Sequence, residues 1–172
     1  QNNGQDIRFV DPDGTILPHE IETWNENGTS SVWVKIPQIN ASSNTDYIWL
    51  YYGSPSALDG QNPPDVWSPD YKGVWHLNNN FLDSTTVNNG TGQGSTSDNG
   101  QIAYGQDFNG TNNYIDAGSN TSIDEIFSGT GGTVSAWIKP AGWGAGGYGR
   151  IVDKSSDVLA LDGWGFQLHS SP

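Results

Sequence analysis

The sequence has no cysteine and no methionine, and only six lysines and arginines among its 172 residues. Without cysteine there can be no disulfide framework, no thiolate-held zinc and no thiol nucleophile. Without methionine the chain carries no initiator residue of its own, so it reads as an internal piece of a longer protein. The bases Arg8, Lys35, Lys72, Lys139, Arg150 and Lys154 form no cluster, and nineteen acids outweigh them to give a net charge of -13. That balance excludes the basic footprint by which proteins hold nucleic acid and disfavours adsorption to anionic membranes. No run approaches the roughly 18 apolar residues of a membrane helix, and no signal-peptide pattern opens the chain, so no membrane insertion is expected.

What is abundant is glycine, at 23 residues, and tryptophan, at eight. So much glycine beside so many aromatics predicts short strands joined by turns rather than packed helices. The acidic, lysine-poor surface fits a secreted or cell-surface protein kept soluble by self-repulsion.

Residues 1–69 divide into strand-like runs. Asp6–Val10 is followed by the turn Asp11-Pro12-Asp13-Gly14, in which proline sets φ and glycine accepts a positive one. Ile16–Trp24 and Ser31–Ile36 flank Asn27-Gly28 as a hairpin. Tyr47–Tyr52 is apolar on both faces and predicts a central buried strand. The proline-rich stretch Gly53–Pro69 reads as a linker or ordered loop. From residue 70 the strand-like runs are Gly73–Leu77, Ile102–Phe108, Tyr114-Ile115, Thr133–Lys139, Arg150–Asp153 and Gly163–His169. A long polar stretch, Asn78–Gly100, reads as loop, and Ser122–Phe127 reads as a helical turn with Ser122 as N-cap.

Several residues bear on chemistry. Glu20 and Glu22, with Glu26 beyond them, would share one strand face about 6.5–7 Å apart, whereas a retaining glycosidase needs carboxyls about 5–5.5 Å apart. The simpler reading is an edge strand with a solvated acidic face. His19, His76 and His169 are scattered, no zincin or nucleophile-elbow motif occurs, and His76 reads as a packed strand-end residue. Oxygen donors suit calcium: Asp107, Asn109 and Asp116 around the expected Asn-Gly hairpin are the metal candidates, with Asp153, Asp157 and Asp162 a lesser group. Trp143 and Tyr148, in the glycine-rich loop 140–149, and Trp164, between two glycines, are the candidates for stacking on sugar rings. Asn-x-Ser/Thr sequons make Asn27, Asn40, Asn89, Asn109 and Asn120 the glycosylation candidates, all in predicted loops.

The stretches Val74-Trp75-His76-Leu77-Asn78 with Asp83-Ser84, Asp107–Ile115, Thr133–Pro140 and Ile151–Lys154 resemble the concanavalin A-like, laminin-G-like jelly-roll family. Upstream, Asp6-Ile7-Arg8-Phe9, Leu17–Glu22, Val32–Pro37 and Tyr51-Tyr52-Gly53 resemble domain-of-unknown-function family 2341, found before laminin-G-like domains in secreted prokaryotic proteins. The resemblance implies β-sandwiches, extracellular placement, and glycan or protein binding rather than catalysis. It also implies missing strands at both ends, to be supplied by further chain or by a neighbouring subunit.

Together these readings predict an all-β protein: a small β-domain over 1–69 and an antiparallel jelly-roll sandwich over 70–172. The expected function is extracellular, non-catalytic binding of a polysaccharide or glycoprotein glycan, with no required cofactor; a structural calcium at Asp107, Asn109 and Asp116 is the alternative to ordinary turn chemistry there. The alternatives are a filament subunit that pairs strands with copies of itself, and a polysaccharide hydrolase.

Overall fold

A computed structural model describes residues 1–67, 69–129, 131–155 and 163–170, with the side chain of Ala145 outside the description. The chain is all-β, built from small antiparallel sheets with short helical turns between them. Asp157 and Asp162 lie outside the described residues.

The first sheet has β1 (Arg8–Val10) in the middle, flanked by β2 (Ile16–Leu17) and by β5 (Trp49–Tyr51). The β1–β2 turn forms at Asp11–Gly14 as the sequence predicts, with Gly14 at φ +91 and Asp13 Oδ1 accepting from the Thr15 N–H. The Asn27-Gly28 hairpin also forms, pairing β3 (His19–Thr23) with β4 (Ser31–Val34). Their register shifts between Ile21 and Thr23, so Glu22 is the extra residue of a bulge. Tyr47–Tyr52 departs from expectation. Only 49–51 is strand, it lies at an edge, and all three residues are about half exposed. A strand apolar on both faces is buried only if neighbours cover both, and β5 pairs with β1 alone.

Within the proline-rich stretch, Pro63–Trp67 forms helix α1. Proline at a first helical position forfeits only an N–H that the helix leaves unbonded, so Pro63 starts the helix rather than breaking it. Gly73–Leu77 is not a strand, because Leu77 and Asn79 take left-handed backbone conformations at φ +60 and +59. The polar stretch 78–100 does contain strands, β6 (Thr91–Gln93) and β7 (Thr96–Asn99). β7 pairs with β8 (Tyr104–Asp107), while β6 pairs with β9 (Tyr114–Asp116). Residues 108–113 are therefore not the turn of a hairpin between β8 and β9. They interrupt one longer hairpin whose arms are 91–99 and 104–116.

Helix α2 (Thr121–Asp124) replaces the expected turn from Ser122, and its N-cap is Asn120, whose side chain accepts from the Ser122 N–H. Residues 133–139 pair with no strand among the described residues, against the strand that their alternation predicts. A glycine-rich 3-10 turn, Ala145–Gly147, leads into β10 (Tyr148–Ser155), which pairs with β11 (Gly163–His169).

Among the described residues few apolar side chains are buried: Ile7, Leu17, Val66 and Ile123, against the polar Asp6, His19, Glu22, Asp83, Ser84 and Asn88. His19 is the extreme case. It is wholly buried edge-on to Phe9, with ring centroids 5.4 Å apart. Neither ring nitrogen makes a hydrogen bond of good geometry, although the Leu17 carbonyl exerts a small pull.

Burial, followed by the nearby Arg8 charge, lowers the proton affinity of His19, so the folded protein holds it neutral. A histidine lowered on folding costs stability as pH falls through its unfolded value of 6.5. In thermal melts taken from about pH 7 to about pH 5, His19→Leu should therefore lose less stability than the parent. Parallel losses in the two proteins would contradict this account of His19.

Candidate functional site

The strand alternation at β3 sends His19 to one side and the two acids to the other. Glu20 and Glu22 do not form a solvated acidic edge as the sequence predicts, since their side chains are only 13% and 3% exposed. They converge on His76 from across the chain. Nδ1 of His76 donates to Glu22 Oε2 at 2.6 Å, and Nε2 donates to Glu20 Oε2 at 3.2 Å. Donating from both nitrogens requires the imidazolium form. Glu26, the third acid of the pattern, sits exposed in the 25–28 turn.

Two indoles complete the cluster. Trp33, on β4, donates its Nε1–H to Glu22 Oε2 at 2.8 Å, and Trp67, ending α1, donates to Glu20 Oε2 at 2.6 Å. Both rings also face the imidazole, Trp33 stacked at 5.9 Å and Trp67 tilted at 5.7 Å between centroids. A cation within about 6 Å of an indole face gains from the ring quadrupole. Ser84 Oγ donates to Glu20 Oε1 at 2.6 Å, and Asn78 Nδ2 donates to the Glu22 carbonyl at 2.8 Å.

The loop bearing Ser84 is fixed in turn by Asp83. Its carboxylate accepts from the N–H groups of Val74, Thr85 and Asn88 and from the Thr85 hydroxyl. Burial would raise the Asp83 pKa, but these bonds outweigh it and hold the group below its ordinary range.

The electrostatics follow from the geometry. Burial would lower the His76 pKa, but the hydrogen bonds and charges of Glu20 and Glu22 overcome it and raise the group to about 9. Burial would raise Glu20, and the bonds from His76, Ser84 and Trp67 overcome that too, leaving it below its ordinary value. A general acid for glycoside hydrolysis needs the opposite shift, a carboxyl kept protonated near neutral pH. An imidazolium also stands between the two carboxylates here. The cluster ties β3, β4, α1 and the segment bearing His76 and Ser84 to one another.

The residues joined this way lie between Glu20 and Asn88, and kinship with known sequences extends beyond them on both sides. The family model described as "Domain of unknown function (DUF2341)" matches residues 3–138. The chain belongs to the DUF2341 family. The match covers every residue of the Glu20–His76–Glu22 cluster and takes in residues on both sides of Pro69. No curated protein and no solved structure matches the chain.

The other sequence candidates are dispersed over this DUF2341 member. Trp143 keeps an open ring, 54% exposed. Tyr148 packs edge-on against His169 at 4.9 Å, and Trp164 packs against Phe127 and donates to the Ile123 carbonyl. Both rings are half-buried. Asp107 and Asp116 end the strands that flank loop 108–113. The side-chain oxygen of Asn109 is taken by the N–H groups of Thr111, Asn112 and Asn113, and Asp116 accepts from the Gly118 N–H. Among the described residues no three or more His, Cys, Asp or Glu side chains are grouped to hold a metal ion. Asn27, Asn40, Asn89, Asn109 and Asn120 are all exposed, although Asn40 is bonded to Asp46 and Asn120 caps α2.

The pairing of β3 acids with His76 was not expected from sequence, nor were the roles of Trp33, Trp67 and Ser84. The available signal was two glutamates two apart on a strand, and a histidine beside a tryptophan elsewhere. Nothing in the spacing links them.

A histidine raised on folding contributes stability that is full below its unfolded pKa of 6.5 and lost as pH rises through about 9. Allowing for solvent at the rim of the cluster, that loss is about 2 kcal/mol. His76→Gln should cost about 3 kcal/mol at neutral pH, because it leaves two buried carboxylates without a cation. It should also flatten the alkaline limb of the stability profile. Urea unfolding across this range tests both, and an alkaline limb unchanged in the variant would refute the assignment.

Proposed function

We propose that this DUF2341 chain is an extracellular, non-catalytic binding module for a neutral polysaccharide or glycoprotein glycan. The observation that carries the reading is a row of open aromatic rings on β5 and the residues leading into it. Tyr47, Trp49 and Tyr51 are 53%, 52% and 57% exposed, and Tyr47 meets Trp49 edge-on at 5.3 Å. Strand residues two apart share a face and lie about 6.6 Å from each other, so Trp49 and Tyr51 present adjacent rings. Across the sheet Trp49 sits beside Val10 and Val10 beside Ile16, which extends the platform with apolar surface. Flat aromatic faces suit the C–H faces of sugar rings, and exposed rings in such a row mark a binding surface.

The charge of -13 disfavours an acidic polymer, so the ligand of this reading is neutral. Trp143 offers a second open ring elsewhere. The antiparallel pairing of β6 with β9 and of β10 with β11 supports reading the sheets after Gly73 as parts of a laminin-G-like, concanavalin A-like jelly roll. Calcium has no part in this reading. The lowered Glu20 and the imidazolium between the acids support a non-catalytic role.

A glycan array should give binding to a neutral glycan. Trp49→Ala should weaken it roughly tenfold, as expected when a central aromatic anchor is truncated. Absence of binding by the parent to every neutral glycan would defeat the proposal. Reducing-sugar release that falls in Glu20→Gln would replace it with catalysis.

A further inference from the structure

Among the described residues nothing guards the outer edge of β5. Sheet edges are blunted in stable monomers by charge, proline, bulges or a covering segment. Tyr47-Ile48-Trp49-Leu50-Tyr51-Tyr52 contains no charge and no proline, its pairing with β1 runs without a bulge, and Leu50 and Tyr52 are 52% and 79% exposed. Behind this edge lies a largely apolar cavity of about 410 Å³, lined by Phe9 of β1 and Leu50 of β5, by their neighbours Ile7 and Tyr52, and by Trp24 and Val32 of the β3–β4 hairpin. The registers Phe9↔Leu50 and Arg8↔Tyr51 put Leu50 on the face of Phe9 that the cavity adjoins. A strand added at β5 would therefore extend the ladder and send every second side chain toward the cavity.

The same chain carries a segment suited to that place. Residues 133–139 read Thr-Val-Ser-Ala-Trp-Ile-Lys, with Val134, Ala136 and Ile138 on one side of any strand they form. No residue of this segment has a positive φ, and it pairs with no strand among the described residues. Trp137 is 80% exposed and Ile138 45% exposed. In a strand added at β5, Val134, Ala136 and Ile138 would enter the cavity, and Trp137 would join the face of Trp49 and Tyr51. Lys139 would bring a positive charge to an acidic protein.

The total area points the same way. The chain exposes 11,784 Å², against about 8,200 Å² for a compact protein of its mass. The excess is more than the roughly 1,600 Å² that a standard stable interface buries.

We infer that residues 133–139 of one copy of this chain add as a strand to the β5 edge of a second copy. Donor and acceptor are different surfaces, so two copies can exchange strands reciprocally in a closed dimer or pass them on in an open chain. This inference uses the edge of β5 and does not rest on glycan binding to its face.

Light scattering on the purified 172-residue chain, over a dilution series, tests it. The parent should form dimers or longer chains that dissociate on dilution. Ala136→Pro fixes φ at about −65°, away from strand values, in an exposed segment that pairs with no strand among the described residues, so the monomer's circular dichroism should be unchanged while association weakens roughly a hundredfold. A synthetic peptide of residues 133–139 should compete with self-association, and soluble glycans should not. A parent that stays monomeric at the highest soluble concentration overturns the inference. So does association that neither Ala136→Pro nor the peptide reduces.

Discussion

One imidazolium between two carboxylates organises this protein. His76 is bonded to Glu20 and Glu22 at once, and through them to the indoles of Trp33 and Trp67 and the hydroxyl of Ser84. Those groups come from β3, β4, α1 and the loop before β6, so a single charged centre fixes how four pieces of chain meet. Apolar burial alone would not do so, given how few aliphatic side chains are wholly enclosed. The cost of a buried ion set is desolvation, and it is met here because the hydrogen-bond capacity of each member is largely used by a neighbour. The left-handed backbone at Leu77 and Asn79 belongs to the same arrangement, since it is the bend that presents His76 and Asn78 to β3.

His19, buried, and His76, half-buried, show how environment rather than residue type decides behaviour. His19 meets Phe9 and lacks well-formed hydrogen bonds, so burial wins and it stays neutral. His76 is partly enclosed, yet two anions reverse the balance. They lie on opposite sides of the β3 strand, and their demands on pH oppose one another. The fold is best served in the interval where the first is uncharged and the second still charged.

Local signals were legible in the sequence wherever short-range chemistry decides structure. The Asp11–Gly14 and Asn27-Gly28 turns, and the strands over 150–153 and 163–169, follow from residue types and alternation, whereas the extension of the first to 148–155 and the pairing of the two do not. The all-β class and kinship with DUF2341 were likewise readable. Burial was not. Tyr47–Tyr52 has the pattern of a central strand and lies at an edge, because pattern records which faces are apolar and not which neighbours arrive. Gly73–Leu77 has the pattern of a strand and is diverted by a contact with residues more than fifty positions earlier. The candidate site was hidden for that reason: its acids and its base are visible singly, and only the folded chain makes them a set.

The separation between Glu20 and His76, 56 residues along the chain, has a kinetic side. Closing so long a loop is entropically unfavourable and returns nothing until both ends arrive, so this centre forms late. Until then the acids of β3 stay hydrated and the hairpin lacks its cover. Interactions absent from the transition state for folding chiefly govern how fast a protein comes apart. The cluster thus serves as a brake on unfolding more than as a seed for folding, and the lifetime of the native state rests on it.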